Sequence, residues 1–455
     1  MFSIRQMRAT IKKGNGFDYI IIVSSTKEQS IFWKNRFEAL KGQILPNNAK
    51  IISIEENWPG GAGQFLGTLY AFKKAKILKQ KGKKIAIYHT SGMGKRMAPI
   101  SLTEQAGKTA IKLPKLIKIN GKKDFLRLLD AVVFSTQIYA STRENRLSVF
   151  WGDQIIIPEK DVKLEDHPIE IFAIKGKIPK TEKQWDKEFN NYGIFFSDGK
   201  TISEREKVSW EDFLELKAKW IAKSLGFFSI SFDFLKFLLN EYKEDLDKKE
   251  KRMDMEPDLW IPLSTTKKEY VRTGGNARYW QRVQKIKKKF KEIQIKDLGE
   301  KTFWWDFGKV SLYQKYLLKT TENSLEGETL RDFFGLKKFW VLKSKSIKNS
   351  ILINSRVQGK IENSIVISAK IKNIEVKDSV IFDSEAFQIK GEKMVVYNLQ
   401  EPKSIYFKKY DVISDVFSSL GKIRLKTKTY RNGKDDWNHR VLENTVSFQS
   451  LTEYL

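Results

Sequence analysis

Four places in this sequence have residue types and spacings suited to chemistry on phosphate esters. In the first, residues 90–99 read TSGMGKRMAP and follow the apolar run KIAIYH, so that Thr90, Ser91, Gly92, Gly94, Lys95 and Arg96 share one turn. Lys108 comes shortly after, in GKTAIKLP. Glycines let backbone N–H groups approach phosphate oxygens with no Cβ in the way. Arg96 could neutralise the outer phosphates of a triphosphate and Lys108 the inner one. Taken alone, the stretch is equally an ordinary strand-to-helix turn with solvated cations. The second place is Gly152-Asp153, at the end of an apolar strand, where parallel sheets bind ligands; a lone Gly-Asp is more often a plain turn. The third is FWWDFG, residues 303–308, which sets Asp306 between aromatic residues and a glycine. A charge there calls for a metal or a donor, or else serves as the N-cap of the next helix. The fourth is Glu206-Lys207, which by itself reads as a surface charge pair. Jointly, two cations and two carboxylates are the parts for in-line displacement at phosphorus, with Mg²⁺ held by the carboxylates.

Those residues need elements to position them. DYIIIVSS, AKIISIEE, KKIAIYHT and RLSVFWGDQIIIP are short apolar runs with strand character. Between them lie TKEQSIFWKNRFEALKG, GGAGQFLGTLYAFKKAKILKQKG and KKDFLRLLDAVVFSTQIYAST, each expected to be largely helical. Strands and helices alternating at this spacing predict an α/β fold with a mostly parallel, Rossmann-like sheet. From about 166 to 300 short strands and helices mix, and the segment 301–320 closes the region with a strand end and a helix.

After about 345 the texture changes. NSILINS, NSIVIS and DSVIFDS are near-repeats marked by Ser350, Ser364 and Ser379. Ile and Val recur between small or polar residues, which predicts stacked coils of a short left-handed parallel β-helix; a small antiparallel β domain is the alternative. The expected division is a catalytic domain over 1–340, a repeat domain over 341–400 and a cap over 401–455.

The chain has 455 residues, no Cys and three His, with 41% hydrophobic content and a formal charge of +29. Without Cys there are no disulfides or thiolate metal sites, and the three His show no zinc-ligand spacing, so a metal would be held by carboxylates, as suits Mg²⁺. No apolar run reaches membrane-spanning length and the first residues show no signal peptide, which fits a cytoplasmic address. The basic runs KKEKR and KIKKKFK carry no nucleic-acid recognition motif. They read as solvated helix faces, and a triphosphate would also gain from the positive field.

Taken in order, GMGKRMAP, GK…LP, GD, EK, WWDFG and the repeats resemble the sugar-1-phosphate nucleotidylyltransferase family from about residue 17 to 390. The resemblance implies roles: Arg96, Lys108 and Lys207 in catalysis, Asp153 and Asp306 on Mg²⁺, and Gly193, Glu206 and Gly226 at the sugar. It places Thr90, Ser91, Gly92, Gly94 and Lys95 at the phosphates, and Gly61, Gly63, Gln64, Gly67 and Thr68 at the base. Val208 stands where the family has Pro, and Ser224-Leu225-Gly226 where it has Asn-x-Gly. The blocks IIIVSSTKEQ and IEENWPGGAGQFLGTLYAF, which in the family follow the phosphate loop, precede it here, implying a circularly permuted nucleotide-binding half. That order, over about the first 160 residues, is most similar to fucose-1-phosphate guanylyltransferases and the corresponding half of bifunctional fucokinases. The implied partners are a nucleoside triphosphate, with GTP preferred, and a sugar-1-phosphate. A non-catalytic nucleotide-sugar-binding protein and a basic nucleic-acid-binding protein are the rival readings. Because Arg96, Lys108, Asp153, Lys207 and Asp306 all precede residue 346, the repeats are expected to serve solubility and to pack on the catalytic domain or on a second copy rather than to supply chemistry.

Overall fold

In the run Tyr19–Ser24 every residue is buried, the signature of a strand covered on both faces. The computed structural model places it between Lys50–Glu55 and Lys84–His89, parallel to both. It describes residues 4–90, 92, 94–105, 107–160, 167–190, 192–199, 202–249, 261–272, 274–289, 293–337, 341–407, 410–429 and 436–455. These divide into two compact units, neither continuous in sequence: Met1–Ser91, Val133–Gly152 and Ile156–Phe303 in the first, and Gly92–Val132, Asp153–Ile155 and Trp304–Leu455 in the second. No helix among the described residues is long and apolar enough to cross a membrane.

The first unit is built on a mixed sheet. Lys84–His89 pairs on its other side with Arg146–Trp151, again parallel, so the strand that leads to the glycine-rich turn is third in the chain but central in the parallel set. Trp220–Ser231 continues the sheet antiparallel to Arg146–Trp151, followed by Gly193–Ser197 and Ile202–Glu206. One face is covered by helices Gly63–Ala75 and Phe232–Glu241, whose Phe65, Leu69, Phe72, Phe234 and Leu238 pack on Ile21, Ile87, Val149 and Ile230.

The second unit holds two kinds of structure. Lys112–Ile119 and Lys122–Arg127 form an antiparallel hairpin. The second of these strands corrects the expectation of a helix from residue 122; helix begins only at Leu128. The reason is the Asn120-Gly121 turn, where φ is 50° and 78°. This geometry matches the twist of paired strands and folds the Lys122 run back onto its neighbour.

The repeat region is a curled sheet of eleven strands, most of them parallel. Short strands Ile365–Ile367, Val380–Phe382 and Val395–Tyr397 stack in one row, and Arg356–Glu362, Lys370–Lys377, Glu385–Glu392 and Gln400–Tyr406 in another. Asn363, Asp378 and Lys393 turn the chain before the three short strands with φ between 45° and 49°, and Asn349 takes the same conformation within Ile347–Ile353; Asn and Asp tolerate it well. The serines noted in the sequence form a ladder: Ser364 N–H donates to Ser350 Oγ at 3.0 Å and Ser379 N–H to Ser364 Oγ at 3.0 Å. Each of these hydroxyls in turn donates to a carbonyl two residues back. The small side chain thus satisfies a backbone donor of the next repeat in an otherwise apolar interior. Inside, Val366, Ile381, Ile389, Val396 and Ile413 form a common core.

Candidate functional site

The loop in the second unit is shaped by close contact. Gly94 takes φ 58° and ψ 33°, and a Cβ there would lie 2.9 Å from Lys108 Cβ and 3.0 Å from Ser101 Cβ. Only glycine meets both demands. Ser101 Oγ donates to Gly94 O at 3.0 Å and Met97 N–H to the same oxygen at 2.8 Å, so the loop is locked against the segment that follows. Gly92 also runs beside Lys108, 4.0 Å from its Cε by the same measure.

Lys108 Nζ donates to Asp153 Oδ2 at 2.8 Å, and Asp153 is 6% exposed. Asp306 is brought to the same place by backbone: Phe307 N–H donates to Asp153 O at 2.9 Å. Its Oδ1 accepts from Gly308 N–H at 2.7 Å. A methyl group built on Gly308 would lie 2.9 Å from Asp306 Oδ1, 3.5 Å from Arg96 Nη2 and 3.6 Å from Asp153 Oδ2. Three charges, Asp306, Arg96 and Asp153, therefore converge on a space the size of a single methyl group, and Lys108 joins them through its bond to Asp153. Lys309, not Asp306, occupies the N-cap position of helix Val310–Lys319, and its side chain makes no capping bond, so the alternative of a capping aspartate is set aside. Burial raises the Asp306 pKa first, and the Asp153 charge raises it further; the Gly308 N–H, Arg96 and Lys108 oppose them. Two carboxylates pressed together this way favour a proton or a cation between them. Lys95 is directed elsewhere in the unit, its ammonium 5.4 Å from the centre of the Trp437 ring.

In the first unit a second set of residues gathers at the carboxyl ends of the parallel strands. Gly61 and Gly63 turn the chain with φ 82° and 72° ahead of helix Gly63–Ala75. The Glu56 carboxylate accepts from Ala62 N–H in that turn. Its Oε2 lies 3.2 Å from where a Cβ on Gly67 would be, with His89 Cε1 at 3.5 Å. Thr68 Oγ1 and His89 Nε2 are hydrogen-bonded at 2.8 Å, and burial lowers the His89 pKa to about 4. Thr90 Oγ1 donates to Val23 O at 2.8 Å, so this hydroxyl braces the sheet. Ser91 and the side chain of Gln64 lie outside the described residues.

The sugar-site expectations fall on the antiparallel end of the same sheet. Gly193 is paired with Glu206, whose Oε1 would stand 2.4 Å from a Cβ on Gly193. Lys207, with φ 49°, closes that strand end by donating its N–H to Tyr192 O at 3.3 Å. Gly226 sits in the irregular part of Trp220–Ser231, where a Cβ would meet Trp151 Nε1 at 2.3 Å. Glu204, two residues before Glu206 and so on the same face, is 3% exposed; burial lifts its pKa well above the usual range and the Glu206 charge adds to the effect.

Glu56, His89 and Trp151 were not among the residues expected from the sequence. Glu56 had a signal, a carboxylate just before a glycine-rich turn; His89 and Trp151 read only as strand residues.

No family model matches the chain, and no curated protein does. Among the solved structures that match is a mannose-1-phosphate geranyltransferase from Thermus thermophilus, at 12% identity and a TM-score of 0.28, covering 75% of this chain and 94% of that one. Similarity of that degree fixes neither fold nor activity. What the site can do follows from its geometry.

Proposed function

We propose that the protein transfers a nucleotidyl group from a nucleoside triphosphate, GTP preferred, to a sugar-1-phosphate and releases pyrophosphate. The observation that carries this reading is the convergence of Arg96, Asp153 and Asp306 around Gly308, with Lys108 bonded to Asp153. An oxygen of the sugar phosphate forms a new bond to the α-phosphorus, and the bond from that phosphorus to the α–β bridging oxygen breaks. The electron pair leaves with pyrophosphate. No protein nucleophile is needed; positioning and charge neutralisation suffice.

Arg96 and Lys108 would bind the phosphates and offset the charge on them, and the loop at Gly92 and Gly94 lets backbone approach. Asp153 and Asp306 are hard oxygen donors. Among the described residues no group of three or more His, Cys, Asp or Glu is arranged to hold a metal ion. Two carboxylates sharing an ion with substrate phosphates is, however, the usual binding mode of Mg²⁺. Such an ion, when bound, would supply positive charge to the reacting phosphate oxygens.

The preference for guanine rests on the resemblance of about the first 160 residues to fucose-1-phosphate guanylyltransferases, and Glu56, which lies beside Gly67 and accepts from Ala62 N–H, is the carboxylate assigned to the base. Glu206, next to Gly193, is assigned to sugar hydroxyls and Lys207 to the sugar phosphate. The central position of Lys84–His89 supports the permuted order of the nucleotide-binding half, since the loop still follows a central strand. The stacked repeats are read as a left-handed β-helix. Pyrophosphate release, screened with four nucleoside triphosphates against a panel of sugar-1-phosphates in Mg²⁺, tests the reading. Release with none of the pairs would overturn it.

A further inference from the structure

A lysine ammonium on a flexible four-carbon stem neutralises a phosphate well only if something aims it. Lys108 opens the short turn Lys108–Ala110, within the stretch 104–112. Both ends of that stretch meet on one phenol. Tyr397 Oη donates to Glu104 Oε1 at 2.6 Å and accepts from Lys112 N–H at 3.0 Å. Arg127 closes the turn from another side, ion-paired to Glu104 and donating to Ala110 O at 2.8 Å. Tyr313 Oη donates to Lys112 O at 3.0 Å.

Tyr397 belongs to the repeats, at the end of Val395–Tyr397. It is fully buried, with the rings of Phe382 and Tyr313 centred 5.7 Å and 6.4 Å away. Its hydroxyl is therefore fixed, and burial and the nearby Glu104 charge keep it protonated. A core tyrosine needs only one partner for that hydroxyl. This one joins two groups that flank Lys108 on either side in the sequence.

We infer that Tyr397 is a positioning residue for Lys108: by bridging Glu104 and the Lys112 N–H it fixes the turn that aims the Lys108 ammonium at Asp153. The inference deepens the proposed function and rests on it for the role of Lys108 in turnover. It also changes what the repeats are for, because a group beyond residue 346 then acts on the chemistry.

The test uses full-length wild type, Tyr397→Phe, Lys108→Ala and the double variant. The first arm needs no substrate: trace acetylation of lysines by acetic anhydride, read by mass spectrometry. Release of the turn should raise labelling of Lys108 several-fold in Tyr397→Phe, while the exposed Lys370 stays unchanged as an internal standard. Tyr88→Phe, which removes another buried hydroxyl bonded to Thr136, controls for general loosening and should leave Lys108 labelling as in wild type. Glu104→Gln keeps the volume and weakens the accepted bond. It should move labelling in the same direction, and it carries the arm if Tyr397→Phe does not fold. The second arm is kcat for pyrophosphate release. Tyr397→Phe should lower kcat about tenfold in wild type and add little in the Lys108→Ala background, the non-additivity expected when one residue acts through another. Unchanged Lys108 labelling, or equal losses of kcat in both backgrounds, would overturn the inference. If wild type releases no pyrophosphate, the proposed function fails and the labelling arm alone decides the role of Tyr397.

Discussion

Replacing Gly308 by Ala tests the four-charge cluster with one added methyl group. Gly308 does not adopt a positive φ, so alanine brings no backbone strain. The new Cβ would sit 2.9 Å from Asp306 Oδ1, and about 0.5 Å of movement is needed to reach ordinary contact. The carboxylate has two ways to move. It can turn away and lose the 2.7 Å bond from Gly308 N–H, or it can press on Asp153 and Arg96. A hydrogen bond to a charged group is worth about 1.5–3 kcal/mol. At about 1.4 kcal/mol per decade, displacement of Asp306 should cost roughly 10- to 100-fold in kcat. The methyl itself should cost about 1 kcal/mol of stability or somewhat more, which in a chain this long lowers Tm by only a few degrees. The assay is pyrophosphate release at saturating substrates, with Tm measured in parallel over a Mg²⁺ series. A Gly308→Ala protein with wild-type kcat and a wild-type response to Mg²⁺ would refute the argument, because the cluster would then tolerate a methyl group at its centre.

Asp306→Asn should lower turnover by orders of magnitude yet fold. Because burial and Asp153 raise the Asp306 pKa, the charged form is disfavoured in the folded state and stability falls as pH rises through that titration. The metal-free variant should accordingly melt no lower than wild type at neutral pH. Mg²⁺ at about ten times its Kd should stabilise wild type by about 1.4 kcal/mol and the variant little; equal stabilisation of both would remove Asp306 from the metal site. His89 works in the opposite sense. Its folded pKa of about 4 lies below the ordinary value of 6.5, so stability is full above that ordinary value and is lost as pH falls towards the folded one, by up to roughly 3 kcal/mol. Chemical denaturation at several pH values should show that slope flattened in His89→Gln, and an unchanged slope would mean that His89 is not held neutral. Glu56→Gln replaces an acceptor by an amide and should cut the ratio of kcat/KM for GTP to that for UTP by roughly tenfold or more. Single-substrate kinetics decide it, and an unaltered ratio would move base recognition away from Glu56.

Much of this protein is local and was legible in its residues. Short apolar runs between helical segments predict the parallel strands, because a strand buried on both faces has no polar side to show. Asn-Ser and Asp-Ser steps mark the corners of the repeats, because those side chains tolerate the left-handed conformation each corner needs. The Asn120-Gly121 turn was passed over, because the lysines and leucines after it have the composition of a helix; turn geometry prevailed over propensity. What sequence alone could not decide is which polar groups are already occupied. Thr68 and Thr90 look like ligands in a glycine-rich setting, yet their hydroxyls bond to His89 and Val23. Lys95 and Arg96 are neighbours, yet Lys95 is directed to Trp437 while Arg96 joins Asp153 and Asp306 around Gly308. Tyr397 has no sequence signal at all. Its hydroxyl matters because the stacking of the repeats delivers it to Glu104 and Lys112, which lie far earlier in the chain. Residue type sets what a side chain can donate or accept, but only the folded chain sets what stands within hydrogen-bonding reach of it.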